Sequence, residues 1–456
     1  MNKLVKIVCL TMCFLFGTNE GLIQASSSTF NAGVVQNNVT SKVETPKEYD
    51  LVIDSIYYQI TSLDNLELQV VGGKNVYSGD IVIPDEVVYK GKKFLITAIG
   101  DKCFYESPVT NVKIGDNIST IRPSAFEYSD IKEIVIPPTV KKLYHNSFDH
   151  CVSLKKIIFL DGTDVLEFLG SYDYTFFGFC PVEYLYIGRN IDVSTRFWVF
   201  SNLSNAIEIK IGSTVTELAR NLLSGASKIT SLTIPKSVKK INRGAFDGCK
   251  SLKSVIFEDS EEPILFTEAN QYIETGGRNC AMFCYSPIEY LYIGRDLEPT
   301  ESYGMFDETP VKKLDIGSKV TTLTKLINLR ELSEIRLPKN IKEIMSLYGC
   351  NNLRTIICDS STPPSFESSN ISNVVFVEAT LFVPKGCVEA YKKADVWKKF
   401  FEIKEYDENA SFKTVIADKD ISISKVFDAN GRYLLQPQKG LNIIQYSDGT
   451  IKKVIY

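Results

Sequence analysis

One phrase recurs through most of this chain and leaves few folds open to it. It reads IKEIVIP from Ile131, AIEIKIG from Ala206, ITSLTIP from Ile229, VKKLDIG from Val311 and LSEIRLP from Leu332. The last apolar residues of successive copies are Ile114, Ile136, Phe159, Ile187, Ile211, Ile234, Phe257, Ile293, Ile316 and Leu337, so the gaps are 22, 23, 28, 24, 23, 23, 36, 23 and 21 residues. A nearly fixed period in the low twenties specifies a solenoid, with one strand per turn and a core shared between neighbours. Such a body offers a long regular surface instead of a closed catalytic pocket, so binding is the expected role.

Within IKEIVIP, alternation sends Ile131, Ile134 and Ile136 inward and Glu133 and Val135 outward. Pro137 then ends the strand, because proline cannot donate to a ladder. A second phrase follows each strand: VKKLYHNSFDHCVSL from Val140 and VKKINRGAFDGCKSL from Val238. Its small residue and Phe (Cys103-Phe104, Ala125-Phe126, Ser147-Phe148, Ala245-Phe246) are expected to plug the core from the convex side. A longer period is also present. The segment from Ile136 to Phe159 matches that from Ile234 to Phe257 at an offset of 98, and VEYLYIGRNI from Val182 matches IEYLYIGRDL from Ile288 at an offset of 106. Duplication of a block of about four turns explains both.

The expected organisation is a signal peptide over 1–25, a flexible leader over 26–50 and an N-terminal β cap over 51–90. Leucine-rich repeats follow over 91–385, with insertions near 161–180 and 258–286. A helical C-terminal cap covers 386–406, and an all-β tail covers 407–456. Lys3 and Lys6 precede an apolar run too short to span a bilayer, and Ile23-Gln24-Ala25 offers a cleavage site, so export is expected. A solenoid needs both ends covered, because an open end exposes core and unpaired strand edge. Asn430-Gly431 and Asp448-Gly449 in the tail are hairpin signals.

The repeat phrasing, the opening IDSIYYQI and the closing VPKGCVEAYKKADVWKKF resemble the BspA-like leucine-rich repeat proteins of anaerobic Gram-negative bacteria and some protists. The resemblance covers roughly residues 53–406. It implies a leucine-rich-repeat solenoid of about a dozen turns, with a parallel sheet on one face and irregular turns on the other. It also implies a secreted or surface protein of adhesin type that recognises host matrix protein or another microbe. VFDANGRYLLQPQKGLNIIQYSDGTIKKVIY resembles a C-terminal sorting domain of the type IX secretion kind. The two aromatic interruptions depart from the family pattern, and the family motif carries no catalytic residue.

Candidate sites are few. If Leu185, Ile187, Leu291 and Ile293 point inward, then Tyr184, Tyr186, Tyr290 and Tyr292 point outward. Outward tyrosines suit a protein hot spot, or sugar stacking as an alternative glycan-binding role. Tyr172, Tyr174, Phe176, Phe177, Tyr272, Phe283 and Tyr285 would form a rim around them, unless the insertions fold back and bury the cluster. Cys103, Cys151, Cys249 and Cys350 read as small core residues, and copies four turns apart cannot bridge at roughly 4.8 Å per strand. Cys280 and Cys284 could be free, disulfide-bonded or metal-bound. Only two histidines are present, His145 and His150, and neither is expected to be catalytic. The net charge of -4 gives no basic field for nucleic acid. No enzyme activity, metal, cofactor or membrane span is expected.

Overall fold

The structure is a computed structural model. It describes residues 49–406 except 171–175, 193–198, 201–202, 243, 247, 268–282, 284–285 and 300–304, together with the backbone of four strands between 423 and 455. The signal peptide and nearly all of the leader lie outside the described residues.

The chain forms a β-solenoid of about a dozen turns. Each turn contributes a four-residue strand to a parallel ladder, among them Glu133–Ile136, Lys156–Phe159, Tyr184–Ile187 and Glu208–Ile211. Their register aligns Ile134 with Ile157, Leu185 and Ile209, and Ile136 with Phe159, Ile187 and Ile211. All of these but the half-buried Ile211 are buried, as alternation requires of a face turned to the core. The same pattern returns in Ser231–Ile234, Ser254–Phe257, Tyr290–Ile293 and Lys313–Ile316, where Leu232, Val255, Leu291 and Leu314 stack. The duplicated block is therefore one structural unit built twice.

A second, shorter strand in most turns forms its own parallel ladder, for example Lys142–Tyr144 against Leu166–Leu169. The first ladder is interrupted after Glu208–Ile211 and after Lys313–Ile316, and the second one turn earlier, after Ile191–Asp192 and after Leu297–Pro299.

The small-residue-plus-Phe phrase supplies the rest of the core. Tyr49, Tyr57, Tyr77, Phe104, Phe126, Phe148, Phe177 and Phe200 follow one another with ring centroids 4.7, 5.9, 5.0, 4.9, 4.8, 5.2 and 5.4 Å apart. Phe246, Phe283 and Phe306 repeat the arrangement at 4.9 and 5.2 Å. One ring per turn suits the strand spacing, so each ring packs against the next. The buried thiols follow the same logic. Cys151, Cys180, Cys249 and Cys350 each donate to a backbone carbonyl of the preceding turn, at Phe126, Phe148, Leu223 and Leu326 respectively.

At the N-terminal end Leu51–Ile53, Ile56–Ser62 and Glu67–Val71 form an antiparallel meander. A hairpin joins Glu86–Tyr89 to Lys92–Ile99 through Lys90-Gly91, both left-handed (φ 48° and 77°), as a two-residue hairpin turn demands. At the other end the helix Val388–Lys393 and the helical turn Trp397–Lys399 bury Tyr391 and Trp397. Glu402–Tyr406 then pairs in parallel with Thr380–Pro384. The four tail strands make an antiparallel sheet.

Candidate functional site

The tyrosine pairs sit on two equivalent strands, Tyr184–Ile187 and Tyr290–Ile293, each in the third turn of its block. Leu185, Ile187, Leu291 and Ile293 are buried, and the four tyrosines between them are half-buried on the outer face. Cross-strand register sets their neighbours. Tyr186 lies between Ile158 and Lys210, and Tyr292 between Ile256 and Asp315.

Each pair is held by an aspartate from the loop after the preceding strand and a lysine from the following strand. The Tyr186 hydroxyl donates to Asp161 Oδ1 at 2.8 Å, and that of Tyr292 to Asp259 Oδ1 at 2.9 Å. Lys210 Nζ lies 5.6 Å from the Tyr184 ring centroid and Lys313 Nζ 5.2 Å from that of Tyr290, both within cation–π range. Lys210 also pairs with Glu208 at 2.7 Å and Lys313 with Asp315 at 3.4 Å. The two sites are thus alike in parts but differ in charge order along the following strand, Glu-Ile-Lys in one and Lys-Leu-Asp in the other.

Glycine makes room for the hydroxyl pairs. A Cβ on Gly212 would stand 2.5 Å from Asp161 Oδ1 and 2.8 Å from Tyr186 Oη, and one on Gly317 would meet Asp259 and Tyr292 in the same way. Burial, then the hydrogen bond to Asp161, raises the Tyr186 hydroxyl to about 12. Burial and Asp259 raise that of Tyr292 to about 12. Tyr290 is raised too, by burial and then by Asp315. All three are neutral hydrogen-bonding groups at physiological pH.

Beneath each pair lies a buried arginine. Arg189 Nη1 donates to the carbonyls of Pro138 (2.9 Å) and Val140 (2.7 Å), and Nη2 to Pro137 (3.1 Å). Arg295 does the same with Lys236 (3.0 Å), Val238 (2.8 Å) and Pro235 (2.5 Å). Each side chain reaches back two turns and is fully buried. Burial lowers Arg189 to about 10, and lowers Arg295 as well, so both stay charged at neutral pH. The guanidinium fork satisfies carbonyls that the strand-ending prolines leave pointing into the loop.

The remaining candidates fall elsewhere. Phe176, Phe177 and Phe283 do not form a rim. They are buried, and Phe177 and Phe283 occupy the ring-stack position of their turns. Tyr172, Tyr174, Tyr272, Tyr285, Cys280 and Cys284 lie outside the described residues. His150 is not loose surface: its ring stacks between Tyr128 and Phe179 at 4.6 and 4.4 Å. Cys180 shares the Cys151 position one turn on, a relation hidden by the irregular spacing of that turn. Among the described residues no cluster of three or more His, Cys, Asp or Glu could hold a metal ion. No helix among them is long and apolar enough to cross a membrane.

Asp161 and Asp259, Lys210 and Lys313, and the two arginines were not singled out in the sequence. A signal for them exists: Arg189 and Arg295 are part of the YLYIGR phrase repeated at the 106 offset, and the two aspartates recur at the 98 offset.

The family described as BspA type leucine-rich repeat region matches residues 97–175, 171–272 and 277–393, in six copies. Among solved structures, the chain is similar to a leucine-rich repeat protein from Bacteroides ovatus ATCC 8483 (19% identity, 78% of this chain and 100% of that one, TM-score 0.36). It is also similar to a leucine-rich cell surface protein from Faecalibacterium prausnitzii A2-165 (18%, 78% and 94%, 0.35). A third similarity is to the pneumococcal vaccine antigen PcpA (12%, 78% and 98%, 0.25). No curated protein matches the chain.

Proposed function

The chain belongs to the BspA-type leucine-rich repeat family, and on that premise we propose that it is a secreted or surface-displayed binding protein of adhesin type. Its ligand on this reading is an extracellular protein, either host matrix or the surface of another microbe. The observation that carries the reading is the doubled tyrosine site. Two half-buried Tyr pairs, each steadied by an Asp and a Lys, stand on the outer face of a regular scaffold at equivalent places in two blocks. Aromatic rings with fixed rotamers and a polar tip lose little entropy on binding, which is why they dominate hot spots. Two such sites on one body also allow bivalent engagement of a fibrous or repeated partner.

The test compares the full chain with Tyr186→Ser/Tyr292→Ser for binding to immobilised matrix proteins, beside a glycan array. Loss of a true hot-spot side chain weakens binding by about 2 kcal/mol or more. The double variant is expected to lose matrix binding while its melting temperature moves little. A collapse in stability with no selective binding loss would make these tyrosines structural. Glycan binding without protein binding would instead give a sugar-stacking role. Export through the N-terminal segment, and sorting by the 407–456 tail, belong to the same proposal. Deleting the tail should leave the solenoid folded and misplace the protein, whereas unchanged surface display would refute the sorting role.

A further inference from the structure

A groove of about 650 Å³ lies between successive loops that follow the strands near the C-terminal end. Its walls come from the loops after Lys313–Ile316, Glu334–Leu337 and Thr355–Cys358, three consecutive turns. We propose that this groove binds an acidic oligosaccharide, one whose sugars carry carboxylate or sulfate groups.

Charge is the first reason. Lys319, Lys339 and Lys342 line the groove against one carboxylate, Glu261, in a chain whose net charge is -4. Lys319 is paired with Glu261. Lys339 and Lys342 are exposed and make no ion pair among the described residues, so two ammonium groups face the groove uncompensated. The second reason is the rest of the lining. Ser318, Thr321, Asn340, Ser361 and Thr362 line the same space, and no aromatic residue does. A neutral sugar held by ring stacking would find no aromatic platform here, whereas a polyhydroxylated anion finds two lysines beside neutral hydrogen-bonding residues, with Pro363 and Pro364 as an apolar wall for its ring faces.

The third reason is that the walls are already set. The Trp397 indole N–H donates to the carbonyl of Pro364 at 2.9 Å, fixing the Pro363-Pro364 wall from below. Ser360 Oγ donates to the carbonyl of Thr362 at 2.7 Å within its own loop, and Asn340 Nδ2 donates to that of Ser318 at 3.2 Å, tying one turn to the next. A preformed polar groove loses less entropy on binding. Three stacked turns enclose two spacings of about 4.8 Å, a length of roughly 10 Å, enough for about two sugar residues. The groove lies in the loops beyond the tyrosine strands; its Glu261 and Ser318 end adjoins the Tyr292–Asp259 pair, and the Tyr186–Asp161 pair belongs to the other block.

Calorimetry on the full chain tests this with four probes: a heparin-derived sulfated tetrasaccharide, an oligogalacturonate tetramer, neutral maltotetraose and inorganic sulfate. One or both charged tetrasaccharides are expected to bind, more weakly as salt rises, and which of them binds separates sulfate from carboxylate recognition. Lys339→Ala/Lys342→Ala should weaken that binding roughly tenfold, as loss of two partly solvated ion pairs implies, with an unchanged melting temperature. Glu261→Gln should tighten it about two- to threefold by removing the carboxylate among the lining residues, which also releases Lys319. Lys339→Arg/Lys342→Arg should retain it. Tyr186→Ser, in the pair of the other block, should not affect it, which keeps this outcome distinct from that of the tyrosine face. The proposal is overturned if maltotetraose binds as well as the charged probes, if inorganic sulfate alone binds, or if the double alanine variant matches wild type.

Discussion

Replacing Arg189 by Met, Ala or Lys separates what its charge, its bulk and its forked shape contribute. The guanidinium makes three hydrogen bonds to carbonyls two turns back, and the two to Val140 and Pro137 are buried. Truncation frees the carbonyl of exposed Pro138 to meet water, and the Pro137 carbonyl keeps the Val140 N–H at 3.2 Å. Only the buried Val140 carbonyl is left without a donor, which costs about 1–3 kcal/mol. Against this, the wild-type protein must desolvate a cation, a penalty of several kcal/mol before its hydrogen bonds are counted. The net loss for Arg189→Met is therefore about 1–3 kcal/mol. Met fills much of the stem volume, whereas Arg189→Ala adds a cavity and should cost about 1–2 kcal/mol more. Arg189→Lys keeps a charge but offers one compact donor centre in place of a fork, so its cost should fall below that of Met. Because solenoid turns couple mainly to their neighbours, the loss should first appear as local opening. Native-state hydrogen exchange over residues 133–144 and 184–191, beside thermal unfolding, reads it. Arg295 provides an internal replicate, and the two sites should add, since four turns put them about 19 Å apart. An Arg189→Met protein within about 0.5 kcal/mol of wild type would refute the reasoning, because it would mean that water reaches the Val140 carbonyl.

Three further outcomes are expected. The folded-state hydroxyls of Tyr186 and Tyr292 titrate near 12 against an ordinary value of 10.0. Their contribution to stability is thus full below pH 10 and is lost as pH rises to about 12. A Tyr186→Phe/Tyr292→Phe protein should show a shallower alkaline fall in melting temperature over that window, and an identical fall would contradict the shift. Phe148 stacks at 4.8 Å on Phe126 and 5.2 Å on Phe177 and is fully buried, so Phe148→Ala should destabilise by about 3–5 kcal/mol in denaturant titration. Gly212→Ala should push the Tyr186–Asp161 pair apart, and the Tyr186 hydroxyl, followed by ultraviolet titration, should return toward 10.

The sequence by itself determined the solenoid, its turn spacing and the inward or outward sense of each strand residue. Those features follow from local alternation and a repeated apolar phrase, which a period count reads directly. The outward sense of Tyr184, Tyr186, Tyr290 and Tyr292 was legible for the same reason, and so was the doubled block. The partners of those tyrosines were not. Asp161 is 25 residues from Tyr186, and Pro137 is 52 residues from Arg189. Such contacts depend on which loops the winding stacks, and no local pattern encodes that. Insertion residues show the same limit. Phe177 and Phe283 sit in irregular stretches where spacing lost its register, so an exposed rim and burial by fold-back both stayed open. Only the tertiary packing placed their rings at the one-per-turn stack, because burying a ring against the preceding Phe recovers more apolar contact than leaving it at the edge of the tyrosine face. The basic groove is likewise a tertiary product. Lys319, Lys339 and Lys342 are ordinary loop lysines in sequence, and two stacked turns bring them to one groove.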